Sequence, residues 1–173
     1  MIDFFQPGKY LKQGNPRQRR AWQDLESFNL LSVLQPFQPV LVGTIPIEID
    51  VEGSDLDIIC CASDLDDFAT LLTRHFGHCT GFRLERGITR NEIFVVAHFQ
   101  ANHFPVEIFG QSRPVVEQNA YRHMIVEYRL LQEKGEDFRQ AILSLKESGV
   151  KTEPAFAQVL GLKGDPYEAL LNL

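Results

Sequence analysis

Residues Asp55 through Ala62 read Asp-Leu-Asp-Ile-Ile-Cys-Cys-Ala, a run that starts polar and becomes continuously apolar. A strand with apolar residues at both alternating positions belongs in the interior of a sheet covered on both faces, since one bare face would leave half of them in water. The expected class is therefore α/β (α+β), with a mixed central sheet flanked by helices and a C-terminal helical extension. A chain of 173 residues can bury such a core in one unit. The reading is a single domain over 1–173, with a core of about 16–132 and a helical segment of about 133–173.

The rest of the chain supplies partners for that strand. Pro16 can open a helix, and Trp22, Leu25, Phe28, Leu31 and Val33 or Leu34 recur at near-helical spacing, which predicts one helix from about Pro16 to Leu34. Pro36 and Pro39 end it, and Val40-Leu41-Val42 forms a short buried strand. Ile45 to Glu52 alternates apolar with acidic residues before a Gly53-Ser54 turn, which predicts an extended segment or edge strand. A helix follows from Ser63 to about Gly77. Then come strand-like stretches at Phe82–Leu84, Ile93–Phe99 and Phe104–Phe109, an antiparallel meander with turns at Gly87 and at Gln100–Asn102. From Val115 onward the pattern is helical, divided by Gly149, Pro154, Gly161, Gly164 and Pro166.

Charge and composition narrow the partners. A formal charge of −6 argues against a polyanion, because nucleic-acid affinity comes from clustered Lys and Arg. Nucleic acid is an unlikely partner on this ground, although Arg17, Arg19 and Arg20 form a local basic patch. No segment has the length and apolarity to cross a bilayer, and the opening Met1-Ile2-Asp3-Phe4-Phe5 lacks the form of a secretory signal. The expectation is a cytoplasmic protein without a membrane partner. Cys60, Cys61 and Cys79 lack zinc-ligand spacing and read as reduced thiols.

Asp55 and Asp57 stand two apart on the predicted strand, so both carboxylates project from one face while Leu56 and Ile58 enter the core. Like charges held that close repel, and a hard divalent cation, Mg²⁺ or Mn²⁺, relieves the repulsion while keeping positions open for phosphate oxygens. An isolated Asp-x-Asp is more plainly a solvated strand end. Gly43-Thr44, directly after a predicted strand and ten residues or so upstream, shifts the balance. Glycine lets a backbone approach a phosphate, and the neighbouring hydroxyl can donate to it.

Val42-Gly43-Thr44 followed by Asp55-Leu56-Asp57-Ile58 resembles the signature of the nucleotidyltransferase superfamily, which also places a third carboxylate on a later strand between hydrophobic residues. Val106-Glu107-Ile108-Phe109 is the downstream match. Thr44 stands where Ser or Gly is usual, and Glu107 where Asp is commoner. The whole chain, including Gln118 to Met124 and Lys151 to Phe156, looks like a small bacterial family of unassigned function grouped with that superfamily.

The resemblance implies a minimal nucleotidyltransferase fold and metal-dependent nucleotidyl transfer from a nucleoside triphosphate to a small-molecule hydroxyl acceptor. Asp55, Asp57 and Glu107 would be the catalytic and metal residues, with both aspartates bridging two ions and Glu107 serving the acceptor side. Gly43, Thr44 and Ser54 would meet the nucleotide. A cation should balance the triphosphate, and the candidates are Arg122 and Arg129, two turns apart on one helix face, and Lys146. The alternative on the same fold is a non-catalytic nucleotide- or metal-binding or regulatory protein.

Other polar residues have plainer readings. His98 and His103 flank a proposed turn, with His103 and Glu107 on one strand face, where an ordinary polar strand residue is the simpler account. His123 and Glu127 form an i, i+4 pair expected at the helix surface. Glu48, Asp50 and Glu52 read as the exposed face of an amphipathic edge strand. Beside a metal site the same row would favour a cationic acceptor.

Overall fold

A computed structural model describes residues 2–89 and 92–173. The order of elements is α1 (Pro7–Leu11), α2 (Pro16–Ser27), α3 (Leu30–Leu34), β1 (Val40–Val42), β2 (Leu56–Cys61), α4 (Leu65–Phe76), β3 (Arg83–Thr89), β4 (Glu92–Gln100) and β5 (Pro105–Gln111). Helices α5 (Asn119–Lys134), α6 (Glu136–Glu147), α7 (Thr152–Leu160) and α8 (Pro166–Leu171) follow.

The five strands form one mixed sheet in the order β1-β2-β5-β4-β3. Strand β2 pairs antiparallel with β1 and parallel with β5, and β3, β4 and β5 make the antiparallel meander. Alternation along β2 divides the interior. Leu56, Ile58 and Cys60 join Leu25, Phe68, Leu72 and Phe76 on one side. Ile59 joins Met124, Leu131, Ile142 and Phe156 on the other. The apolar run in β2 is thus explained by helices on both faces of the sheet.

Three local expectations are corrected. The helix from Pro16 stops at Ser27, because Asn29 adopts a left-handed conformation (φ 52°) and α3 starts afresh after it. Asparagine tolerates that region better than most side chains. The start of α2 is firm: Asn15 Oδ1 accepts from Gln18 N, and Gln18 Oε1 accepts from Asn15 N, a reciprocal capping box.

The stretch from Ile45 to Glu52 contains no strand. It is a turn with Glu48 at φ 61°, and Ile45, Ile47 and Ile49 are all buried. Alternation arises here because Ile45 drops into the α4-side core while Ile47 and Ile49 enter the α5-side core. The acidic row is dispersed: Asp50 pairs with Arg17, while Glu48 and Glu52 face solvent. Gly87, expected in a turn, lies inside β3, where a Cβ would strike the Phe94 ring. The connection between β3 and β4 lies outside the described residues.

Candidate active site

The site begins with strand register. Asp57 on β2 is the parallel neighbour of Glu107 on β5, Glu107 faces His98 on β4, and His98 faces Arg83 on β3. Partners in register project to the same face, so these side chains form one row across the sheet. Asp55 immediately precedes β2 and shares the parity of Asp57. Carboxylate oxygens of Asp55, Asp57 and Glu107 lie within 4.8 Å of one another, and all three side chains are half-buried.

That proximity is electrostatically costly. Burial raises the Asp57 pKa well above the usual carboxylate range, and the charges of Asp55 and Glu107 push it further, while Lys146 lowers it. Burial also raises Glu107; His98, with Nδ1 3.6 Å from Glu107 Oε2, and Arg83 work against that rise. Three oxygen donors whose mutual repulsion is only partly offset by Lys146, His98 and Arg83 are a donor set that a hard divalent cation prefers. The residues present fit Mg²⁺ or Mn²⁺.

Gly43 makes the approach of Asp57 possible. It has φ 80°, and a Cβ there would collide with Asp57 Oδ2. Its conformation and its missing side chain are both required. The loop from Gly43 to Asp55 is pinned from two sides. Arg17 on α2 pairs with Asp50 and donates to Val51 O at 3.0 Å, and Gln18 donates to Ile45 O at 3.1 Å. Arg139 on α6 donates to Ile47 O at 2.7 Å. Arg17, read from the sequence as part of a local basic patch, therefore positions the loop that carries the glycine.

A cavity of about 450 Å³ opens over this row, between the sheet and helices α5 and α7. Gly43, Thr44, Asp57 and Glu107 line its sheet side; Asn119, His123 and Glu127 line it from α5, and Thr152 and Glu153 from α7. This volume suits a small-molecule ligand.

The remaining residues singled out by sequence divide clearly. Lys146 on α6 is buried, donates to Thr152 Oγ1 at 2.8 Å and lies within electrostatic reach of Asp57. Arg122 and Arg129 do not reach the cavity. The face of α5 that meets it runs through residues 119, 123 and 127, leaving Arg122 exposed beside Asn119 and Arg129 exposed beside Glu133. Ser54 holds its own turn, its hydroxyl accepting from Val51 N at 3.0 Å.

The histidines do not sit where strand parity alone would put them. His103 lies away from Glu107: its Nδ1 is 2.7 Å from Asp24 Oδ1, and its backbone N–H donates to Asp24 Oδ2 at 2.8 Å. His98 is the one beside Glu107. His123 and Glu127 are buried against the cavity, not a surface pair. The sequence reading gave no site role to Glu92, Arg113, Gln118 or Glu153 on the cavity wall, although Gln118 and Glu153 lie in the two segments that carry the family resemblance. Cys60 is buried, Cys61 and Cys79 are half-buried, and all are free.

A mixed sheet that gathers carboxylates from two parallel neighbours beside a glycine turn is the nucleotidyltransferase fold, and solved structures agree. The polymerase core of TRAMP, an RNA surveillance complex, matches with TM-score 0.52 and 11% identity, covering 91% of this chain and 49% of that one. A chain of the GLD-2/RNP-8 complex matches with TM-score 0.53 and 14% identity over 90% of this chain and 62% of that one. The Cid1 poly(U) polymerase with Mg 3'-dATP bound matches with TM-score 0.53 and 14% identity over 89% and 46%. At these identities the likeness is one of fold, and the chain spans about half the length of the first of them, 49%. No curated protein matches by sequence. The chain belongs to the family described as a domain of unknown function, DUF4269, which matches residues 23–173.

Proposed function

We propose that this protein transfers a nucleoside monophosphate from a nucleoside triphosphate to a hydroxyl of a small-molecule acceptor, using Mg²⁺ or Mn²⁺ held by Asp55, Asp57 and Glu107. The observation that carries the reading is the convergence of those three carboxylates within 4.8 Å, with Asp57 and Glu107 facing the cavity. A bound divalent cation would neutralise developing phosphoryl charge. Asp55, just before β2, and Asp57 on it would hold and orient that cation. Glu107, made more basic by burial and steadied by His98, takes the acceptor hydroxyl proton at a carboxylate oxygen. Gly43 and Thr44 offer N–H and hydroxyl donors to the triphosphate, and Lys146 adds positive charge behind Asp57.

One observation favours the non-catalytic alternative. Among the described residues lining the cavity, the one cationic side chain that is always charged is Arg113, and it is paired with Glu92. The test is pyrophosphate release from a panel of triphosphates with Mg²⁺, a mixture of small alcohols and, because one structural neighbour is described as an RNA terminal uridylyl transferase, an RNA oligonucleotide. Release that vanishes in Asp57→Asn supports transfer, and the acceptor that drives it identifies the class. Saturable nucleotide binding without pyrophosphate assigns the protein to the binding alternative.

A further inference from the structure

The cavity has two ends. Asp57 and Glu107 stand at one; further along β5, about 13 Å away at the rise of a strand, Gln111 begins the other, which Arg113 and Gln118 also line. Between them Phe109 lines the floor, its ring stacked on Phe94 with centroids 5.1 Å apart and planes at 28°.

Gln118 is the residue at the far end that the fold alone does not explain. It is 2% exposed, and its Nε2 donates to Cys60 O and to Arg113 O, each at 2.9 Å. Both partners are carbonyls, which only accept, so the amide cannot turn over without losing both bonds. That fixes Oε1 as the spare acceptor, and among the described residues nothing donates to it. A buried oxygen left without a donor is costly, and native structures keep few of them. On the same stretch of wall, Glu92 holds Nε and Nη2 of Arg113, while Nη1 lies outside that pair. A fixed acceptor, a nearby donor and an aromatic floor are surroundings that suit a flat heteroaromatic ring.

We infer that Gln118 reads the base of the nucleotide, accepting at Oε1 from an exocyclic amino group, so that the protein selects adenine or cytosine over a base with a keto oxygen at that position. This deepens the transfer reading given above and rests on its placement of the triphosphate at the carboxylate row. Adenine and cytosine carry an amino donor where hypoxanthine and uracil carry a carbonyl acceptor. An amino base satisfies Oε1; a keto base sets oxygen against oxygen and leaves both without a donor. A site built to hydrogen-bond one group rejects the analogue lacking it more strongly than an apolar pocket rejects a missing methylene. Stacking on Phe109 is open to every base, so it adds affinity without choosing among them.

The test uses two matched pairs whose bases differ by amino against keto: ATP with inosine triphosphate (ITP), and CTP with UTP. Binding is measured by calorimetry with Mg²⁺ and transfer by pyrophosphate release, on the wild type, Gln118→Met and Phe109→Leu. In the wild type the amino member of at least one pair should bind about tenfold more tightly than its keto partner. A margin in the purine pair alone assigns adenine, and one in the pyrimidine pair alone assigns cytosine. Gln118→Met keeps the length of the side chain without its acceptor, and should erase the margin by lowering the amino members to the level of their keto partners. Phe109→Leu should weaken all four alike and leave the margin. Gln118→Met also gives up the bonds to Cys60 and Arg113, so its melting temperature is followed, and the wild-type margin is a test that needs no variant. Equal affinities within both pairs, a preference for the keto members, or a margin intact in a folded Gln118→Met overturns the inference. A margin in binding without pyrophosphate from any acceptor overturns the transfer reading and leaves the base reading standing. Pyrophosphate release at equal rates within both pairs does the reverse, and no binding of any of the four overturns both.

Discussion

Gly43 and Asp57 occupy one another's space: the Asp57 carboxylate lies where a side chain on Gly43 would stand. Strand β1 ends opposite Asp57, with Val42 as its antiparallel neighbour, and the chain turns at Gly43 with φ 80°. Two demands meet at one residue, a left-handed backbone and an empty Cβ position. Gly43→Ala should therefore destabilise the fold by about 1–3 kcal/mol, the usual cost of a non-glycine residue forced into that region. It should also displace Asp57 and weaken the thermal shift produced by Mn²⁺. Chemical denaturation with and without Mn²⁺ checks both, and an unchanged Mn²⁺ response would detach Gly43 from the site.

Asp57 itself works against stability when no cation is bound. Burial and the charges of Asp55 and Glu107 raise its pKa, so the ionised form is penalised in the folded state. Asp57→Asn removes that penalty while keeping the shape of the side chain. In EDTA the variant should melt above the wild type, by about 2–4 °C for each kcal/mol gained in a chain of this size. With Mn²⁺ the order should invert, because only the wild type gains from the cation. A variant less stable than the wild type in EDTA would contradict this account of the row.

Part of this site was legible from strand periodicity, which puts Asp55 and Asp57 on one face. Glu107, between Val106 and Ile108, enters only through the resemblance to the superfamily signature, and the parallel pairing of β2 with β5 brings it beside Asp57. The loop was misread for a physical reason: alternation of isoleucine and acid marks a strand, but the same pattern arises when a turn feeds isoleucines into two cores. Two-turn spacing puts Arg122 and Arg129 on a common face without saying that this face is the outer one. Which histidine meets Glu107 depends on the β4–β5 register, which pairs Glu107 with His98. His103, four residues before Glu107, shares its strand parity in the sequence, but its ring sits against Asp24, and no local signal reports that contact.

Glu127 sets a pH dependence. Its folded pKa is about 8 against an ordinary 4.5, so between those values the folded protein keeps a proton that the unfolded chain has released. Stability from this group is full below about 4.5 and is lost as pH rises through about 8. Glu127→Gln should flatten the slope of unfolding free energy in that window. Urea unfolding of both proteins across it is the measurement, and parallel slopes would remove Glu127 as the source.

The Arg17–Asp50 pair ties α2 to the loop that carries Gly43. The Asp50 side chain is 4% exposed and that of Arg17 is 37%, so the pair is half-screened, and Arg17 also holds Val51 O. Arg17→Met leaves Asp50 buried without its partner and should cost about 1–3 kcal/mol, below the range for fully buried pairs. Its nucleotide affinity should fall with the loosened loop. Denaturation and nucleotide titration on the same sample test this, and a loss of stability with nucleotide affinity intact would confine Arg17 to the fold.

Manganese binding followed by electron paramagnetic resonance, with a non-hydrolysable triphosphate present, tests the central claim most directly. The account predicts saturable Mn²⁺ uptake that tightens with the triphosphate and is lost in Asp57→Asn, a variant that stays folded. Wild-type protein that leaves Mn²⁺ free, or uptake unchanged by Asp57→Asn, would contradict it.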